Sequence, residues 1–279
     1  MSDRLRALVV YVIVAYAGGV LVDVCFRLLG YSFWSGGLYF PLLWGLARMY
    51  TPALAAVLAC IYVGYSVRRR LLLVIPKFVW SYFITPLIAY AVVSLALLIS
   101  VGLGHPPVIP TTLPLGYGEA VAVLVLEAYL ASITINSFYA LGEEVGWRGL
   151  LQGLLEEKFS LLKSSLLVGL VWGYWHAPAF FIVGFYTANY HASFTEALIA
   201  SLLLFPVFTI GLALCLAVIR RLWRSVLPCA SFHGGINALG GLITTTGFRL
   251  VPSLAILAAS SLIIGFTLYY AVKRIGGVA

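Results

Sequence analysis

The sequence predicts an all-α fold, a polytopic integral membrane bundle of about eight transmembrane helices with both termini cytoplasmic. Three observations carry that reading. Apolar residues make up 63% of the 279-residue chain and charged residues only 9%, whereas soluble domains carry roughly 25% charged. The apolar residues fall in runs of about 20, the length that crosses a bilayer. The basic residues sit at alternate ends of those runs. With the N-terminus inside and eight crossings, Arg4, Arg6, Arg68, Arg69, Arg70, Lys77, Arg148, Lys158, Lys163, Arg220, Arg221, Arg224, Lys273 and Arg274 fall on the cytoplasmic side. Only Arg27, Arg48 and Arg249 fall outside. Basic residues that merely flanked helices would split evenly, so the asymmetry sets the orientation. The chain reads as a single membrane domain, 1–279.

The runs follow in order. Run 7–26 starts basic, as a signal peptide does, but its roughly 20 apolar residues exceed the 7–15 of a signal sequence. Despite the small residues Ala17-Gly18-Gly19 it reads as an uncleaved span. The stretch 31–48, interrupted by Trp34, Phe40, Pro41, Trp44 and Arg48, reads as interfacial or re-entrant, with a ninth crossing as the competing count. Run 51–67 opens on Thr51-Pro52, a helix start with proline in the first turn. Runs 79–103 and 120–142 flank an outer Pro-rich loop, His105–Pro114, and runs 161–184, 197–219, 226–246 and 251–272 complete the set.

Several function classes drop out. The net charge of +8 comes from the ends of apolar runs, where anionic lipid accounts for it. It forms no solvated basic patch with interleaved aromatics, so nucleic acid is not a partner. Cys25, Cys60, Cys215 and Cys229 lie in or beside apolar runs without paired spacing and read as small hydrophobes. There is no internal repeat. The seven tryptophans read mostly as an interfacial belt, with Trp147 and Trp172 placed to shape a site. Asp23, Glu119 and Glu127 read as helix-end or interfacial charges, and His105 and His191 fall in outer loops.

Three polar clusters interrupt the apolar pattern: Glu143-Glu144-x-x-x-Arg148, Trp172-x-x-x-His176 and His233-x-x-x-Asn237. Ionisable groups in hydrocarbon cost several kcal/mol each and mark function by default. Glu144 and Arg148, spaced i, i+4, share a helix face and can pair, while Glu143 points about 100° away. One carboxylate can thus be held while its neighbour does chemistry. A helix running from 120 to 158 would be about 57 Å long at 1.5 Å per residue, too long for one straight crossing. Gly142, Gly146 and Gly149 favour a kink or break near the cluster.

The depths of the first two clusters match. If the chain turns near residue 159, Glu143 lies sixteen residues before the turn and His176 seventeen after it. In an antiparallel pair that sets them side by side, roughly 20–25 Å from the turn. His233 and Asn237, also i, i+4, face one way, and Gly234, Gly235, Gly240 and Gly241 permit close approach. An imidazole and an amide together can donate to a developing oxyanion.

Each cluster alone has a structural reading: a buried histidine often joins helices, and a Glu-x-x-x-Arg pair is commonly a bridge. Together, in the same half of the membrane, they point to a hydrolase. A proton-coupled transporter would spread polar groups along a path and often carry internal symmetry. A non-catalytic membrane protein of bacteriocin-immunity or scaffold type stays open as the alternative.

The ordered set resembles the CAAX protease and bacteriocin-processing (CPBP) family of intramembrane endopeptidases, similar to type II CAAX prenyl endopeptidases. The signature is a double glutamate with arginine four residues on, an aromatic-x-x-x-His, and a His-x-x-x-Asn. Here it reads Glu143-Glu144-Val-Gly-Trp-Arg148, Trp172-Gly-Tyr-Trp-His176 and His233-Gly-Gly-Ile-Asn237, within about 115–245. Trp172 stands where phenylalanine is commoner. The resemblance implies that Glu143 and His176 activate a water against a scissile carbonyl. It implies further that His233 and Asn237 stabilise the oxyanion, and that Glu144 and Arg148 support the site. A carboxylate shielded from water is a better base near neutral pH. The substrate implied is a membrane-associated peptide or lipidated protein. One glutamate and two histidines could bind zinc, but no His-Glu-x-x-His helix occurs and the resemblance favours a metal-independent peptidase with no cofactor.

Overall fold

A computed structural model describes residues 2–32, 37, 39–72, 75–105, 116–185, 187, 191–244 and 249–276. Among these the chain is helical, with no strand. In order run α1 (Asp3–Leu28), α2 (Tyr39–Met49), α3 (Thr51–Val63), the short α4 (Val67–Arg70), α5 (Trp80–Ile84), α6 (Pro86–Gly102), α7 (Tyr117–Ser132) and α8 (Ile135–Glu144). A π-helical stretch, Val145–Leu151, leads into α9 (Gln152–Glu156). Then come α10 (Leu161–Ile182), α11 (Phe194–Ile199), a second π stretch over Ala200–Leu204, α12 (Phe205–Trp223), α13 (Leu227–Thr244) and α14 (Leu250–Arg274).

Six helices among the described residues are long and apolar enough to cross a membrane, or seven if the bent pair Tyr117–Ser132 and Ile135–Glu156 is one span. The chain is a multi-pass membrane protein. The sequence expectation was about eight. The difference lies in 226–246, which is helical over Leu227–Thr244 but carries His233, Asn237 and several glycines. These dilute its apolar character.

The polarity is inverted relative to a soluble protein, as a lipid exterior requires. Leu21, Leu28, Ile13 and Leu98 are exposed, while Asp23, Arg48, Glu143, Glu144, Arg148 and Gln152 are buried. The bundle centres on α12, which packs between α10 and α14. Helix α13 lies against α8, α7 and α6, and α1 lies against α3 and α10.

The structure refines three expectations. The stretch 31–48, of which Phe33–Gly36 and Leu38 lie outside the described residues, is not wholly interfacial: α2 leads almost directly into α3, and Leu42–Val63 forms one candidate span. The kink or break predicted near Gly142, Gly146 and Gly149 takes the form of the π-helical stretch Val145–Leu151, and a sharp bend lies upstream of it. That bend, 44°, falls at Ile133–Thr134. Its cause is in another helix. A Cβ at Gly234 of α13 would lie 2.7 Å from both Ser132 O and Ser137 N, so α13 packs directly onto the break. The Ile133 carbonyl accepts from the Tyr82 hydroxyl (2.9 Å), a partner in place of the helical one lost. Asp23, expected near a helix end or interface, lies near the end of α1 and is fully buried. The loop His105–Pro114 lies, apart from the exposed His105, outside the described residues, and His191 is exposed as expected.

The turn expected near residue 159 is found, with Ser160 capping α10 through a bond from Lys163 N–H. The chain leading into that turn is helical from Ile135 to Glu156 through the π-helical stretch.

Candidate active site

Both glutamates pair with the residue four positions ahead, through the π-helical stretch that follows them. Glu143 Oε2 accepts from Trp147 Nε1–H (3.1 Å), and Glu144 Oε2 lies 3.3 Å from Arg148 Nε. Single-turn π segments concentrate at functional sites. This one is pressed against α3: a Cβ on Gly146 would come within 2.6 Å of Pro52 Cβ and 2.7 Å of Tyr11 Oη.

Helix α10 brings the second cluster to the first. Trp172 Nε1–H donates to the same Glu143 Oε2 (2.5 Å). Two indoles therefore clamp one oxygen and leave Oε1 for the cavity. One turn on, His176 Nδ1 lies 2.9 Å from Trp172 O. A carbonyl can only accept, so Nδ1 carries the proton and Nε2 keeps its lone pair. The imidazole is packed by Trp175 (ring centroids 4.8 Å) and Phe205 (4.7 Å).

Helix α13 supplies the third cluster. His233 Nδ1 lies 2.8 Å from Glu144 Oε1, so Glu144 bridges Arg148 and His233. The spacing reading had paired Glu144 with Arg148 alone. The Arg148 guanidinium is fully buried, stands 4.3 Å from the Trp172 ring centroid, and its Nη1 and Nη2 have no hydrogen-bond partner. Glu144 is thus the carboxylate that balances it.

Glu143, His176, His233 and Asn237 all line one cavity of about 410 Å³, within the 300–1,000 Å³ typical of ligand pockets. Its remaining wall is mainly apolar and aromatic, with Leu42, Trp44, Tyr139, Phe185, Phe208 and Ile236 among the lining residues. His233 is buried and Asn237 exposed. Glu144 and Arg148 sit behind the cavity rather than in its lining. Among the described residues no three of His, Cys, Asp and Glu are grouped as a metal site requires.

Two features escaped the sequence reading. Arg48, expected outside the membrane, is buried in the cavity wall. Its Nε donates to Asp23 Oδ1 (2.9 Å), its Nη2 to Trp175 O (2.8 Å), and its guanidinium stacks 3.8 Å from the Trp175 ring centroid. Trp44 Nε1 donates to the same Asp23 oxygen (2.8 Å). Nor are the tryptophans mostly interfacial: Trp44, Trp147, Trp172 and Trp175 are buried at the site, each as a hydrogen-bond donor. Their signal was present as three motif-adjacent indoles, since a buried indole N–H needs an acceptor.

Residues 124–239 match the family model described as type II CAAX prenyl endopeptidase Rce1-like. The chain is similar to the type II CAAX prenyl endopeptidases. The matched segment contains all three motifs. The chain is also 31% identical over 105 residues to CAAX prenyl protease 2 of Methanococcus maripaludis. That match covers 37% of this chain and 37% of the relative, so the likeness spans little more than a third of either.

Proposed function

We propose that this protein is an intramembrane endopeptidase of the CAAX prenyl protease type, hydrolysing a peptide bond in a membrane-associated or lipidated substrate at the cell membrane. The observation that supports it best is the convergence of Glu143, His176, His233 and Asn237, from three separate helices, on one mainly apolar cavity. In this reading a water is held between Glu143 Oε1 and His176 Nε2, and as its oxygen attacks the scissile carbonyl its proton passes by way of Glu143 to the Nε2 lone pair of His176. The resulting oxyanion accepts hydrogen bonds from the Asn237 amide and from His233. Because His233 Nδ1 is tied to Glu144, the ring is held in orientation, and its Nε2 donates only when that nitrogen also carries a proton. The C–N bond then breaks as His176 passes a proton to the departing amine.

The indole clamp fixes the carboxylate's rotamer, so that positioning is set before substrate arrives. The reaction needs no metal in this account. The test is cleavage of a prenylated peptide by purified protein in nanodiscs. Glu143→Gln and His176→Ala are expected to lose at least about 10³-fold in kcat with unchanged thermal midpoints, and chelation is expected to leave the native rate unaltered. Wild-type rates in those variants would remove Glu143 and His176 from the chemistry.

A further inference from the structure

A second cavity, of about 400 Å³, opens at the end of α12 and is lined by Leu72, Glu156, Arg220, Arg221 and Arg224. It is separate from the candidate active site and shares no lining residue with it. Glu156 is its one carboxylate, and both its oxygens are engaged. Oε2 accepts from Arg220 Nη1 (3.0 Å) and lies 3.6 Å from Arg221 Nη1, while Oε1 accepts from Gln152 Nε2 (2.7 Å). Against three guanidinium groups stand that single charge and the C-terminal dipole of α12, worth roughly half an elementary charge. Among the residues lining the cavity, arginines outnumber carboxylates three to one. Arg220 Nε is moreover buried without a hydrogen-bond partner.

The backbone around this cavity is held in an unfavourable form. Leu72 (φ 52°) and Arg224 (φ 49°) both adopt left-handed conformations, and Val226 N–H donates to Leu72 O (3.4 Å), tying them together. Arg224 occupies the left-handed C-cap of α12, bonding back to Arg220 O (2.8 Å). That position normally falls to glycine, which takes it without steric cost. An arginine there keeps a charge at the expense of backbone strain. Positive-inside orientation needs basic residues near the end of a span, but not three converging on one cavity.

We propose that this cavity is a binding site for a phosphate oxyanion, presented by the headgroup of an anionic phospholipid. The lipid is favoured over free phosphate by position: the cavity lies at the end of a helix long and apolar enough to cross a membrane, whose Leu222, next to Arg221 in sequence, is exposed. Arg221 and Arg224 bind the phosphate oxygens and Glu156 fixes Arg220 behind them.

The proposal is tested on full-length protein in nanodiscs of phosphatidylcholine, with and without phosphatidylglycerol, by native mass spectrometry and thermal unfolding. Phosphatidylglycerol should bind more tightly than phosphatidylcholine and raise the unfolding midpoint, both effects fading with salt. Arg221→Gln and Arg224→Gln should each weaken its binding about fivefold, from roughly 1 kcal/mol per arginine at a membrane surface. Arg224→Gly separates charge from backbone: it should raise the midpoint in pure phosphatidylcholine while weakening phosphatidylglycerol binding by the same factor. Equal binding of the two lipids, or native affinity in the arginine variants, would overturn the proposal. Stabilisation by inorganic phosphate alone, with no preference for phosphatidylglycerol, would overturn the lipid assignment. None of these readouts depends on peptidase activity.

Discussion

Removing the charge of Glu144 tests two roles at once. Its carboxylate stands between Arg148 Nε (3.3 Å) and His233 Nδ1 (2.8 Å), with all three side chains buried. In Glu144→Gln the Arg148 guanidinium loses its counter-ion, and its two terminal nitrogens already lack hydrogen-bond partners. Breaking a buried ion pair from one side costs about 3–5 kcal/mol, which corresponds to a fall in unfolding midpoint on the order of 10 °C for a chain of this size. In Glu144→Gln/Arg148→Met both charges are gone, and replacing a buried pair by apolar groups is close to neutral. Stability is therefore expected to return. Activity is not, because His233 still lacks the carboxylate that holds its ring in place. Losing one oxyanion donor costs about 10²–10³ in kcat. The assay pairs thermal unfolding in nanodiscs with single-turnover cleavage of a prenylated peptide. A double variant that recovers both stability and cleavage would reduce Glu144 to scaffolding, and a single variant as stable as the native protein would refute the desolvation argument.

Three further outcomes are expected. Trp172→Phe and Trp147→Phe each remove one N–H from Glu143 Oε2 while keeping an aromatic ring; each should lower kcat about three- to tenfold with KM changed less than about twofold, and the pair together about 10²-fold. A matching rise in KM would mean that the indoles shape the cavity rather than hold the base. Gly146→Ala forces a methyl to within 2.6 Å of Pro52 and should destabilise by about 1–3 kcal/mol, read as the loss in unfolding midpoint. Asp23→Asn leaves Arg48 buried without its counter-ion and should cost about 3–5 kcal/mol, which Asp23→Asn/Arg48→Met largely restores.

What could be read from the sequence was what depends on local pattern. Run 161–184 became Leu161–Ile182 and run 251–272 became Leu250–Arg274, because an apolar stretch of membrane length carries its own boundaries. The meeting of Glu143 and His176 at one cavity followed from equal distances to the turn near 159. What escaped was set from outside the segment concerned. The break at Ile133–Thr134 is held where Gly234 of another helix packs against it, and nothing in 130–137 announces it. Arg48 and Asp23 pair across 25 residues, and each alone is indistinguishable from a charge flanking a span. The indoles were ambiguous because tryptophan serves both the bilayer interface and buried hydrogen bonding. Only the acceptor, Glu143 Oε2, decides between them.

The wall formed by Leu42, Trp44, Gly45, Arg48 and Met49 lies outside the segment 124–239 that carries all the motif residues. One side of the vessel is thus encoded apart from the reagent, while Tyr139, Phe185, Phe208 and Ile236 of the same wall lie within that segment. Exchanging residues of α2 would re-cut the mould around a ligand while leaving the proposed proton path intact, so selectivity can drift in one half of the gene without a matching change in the other.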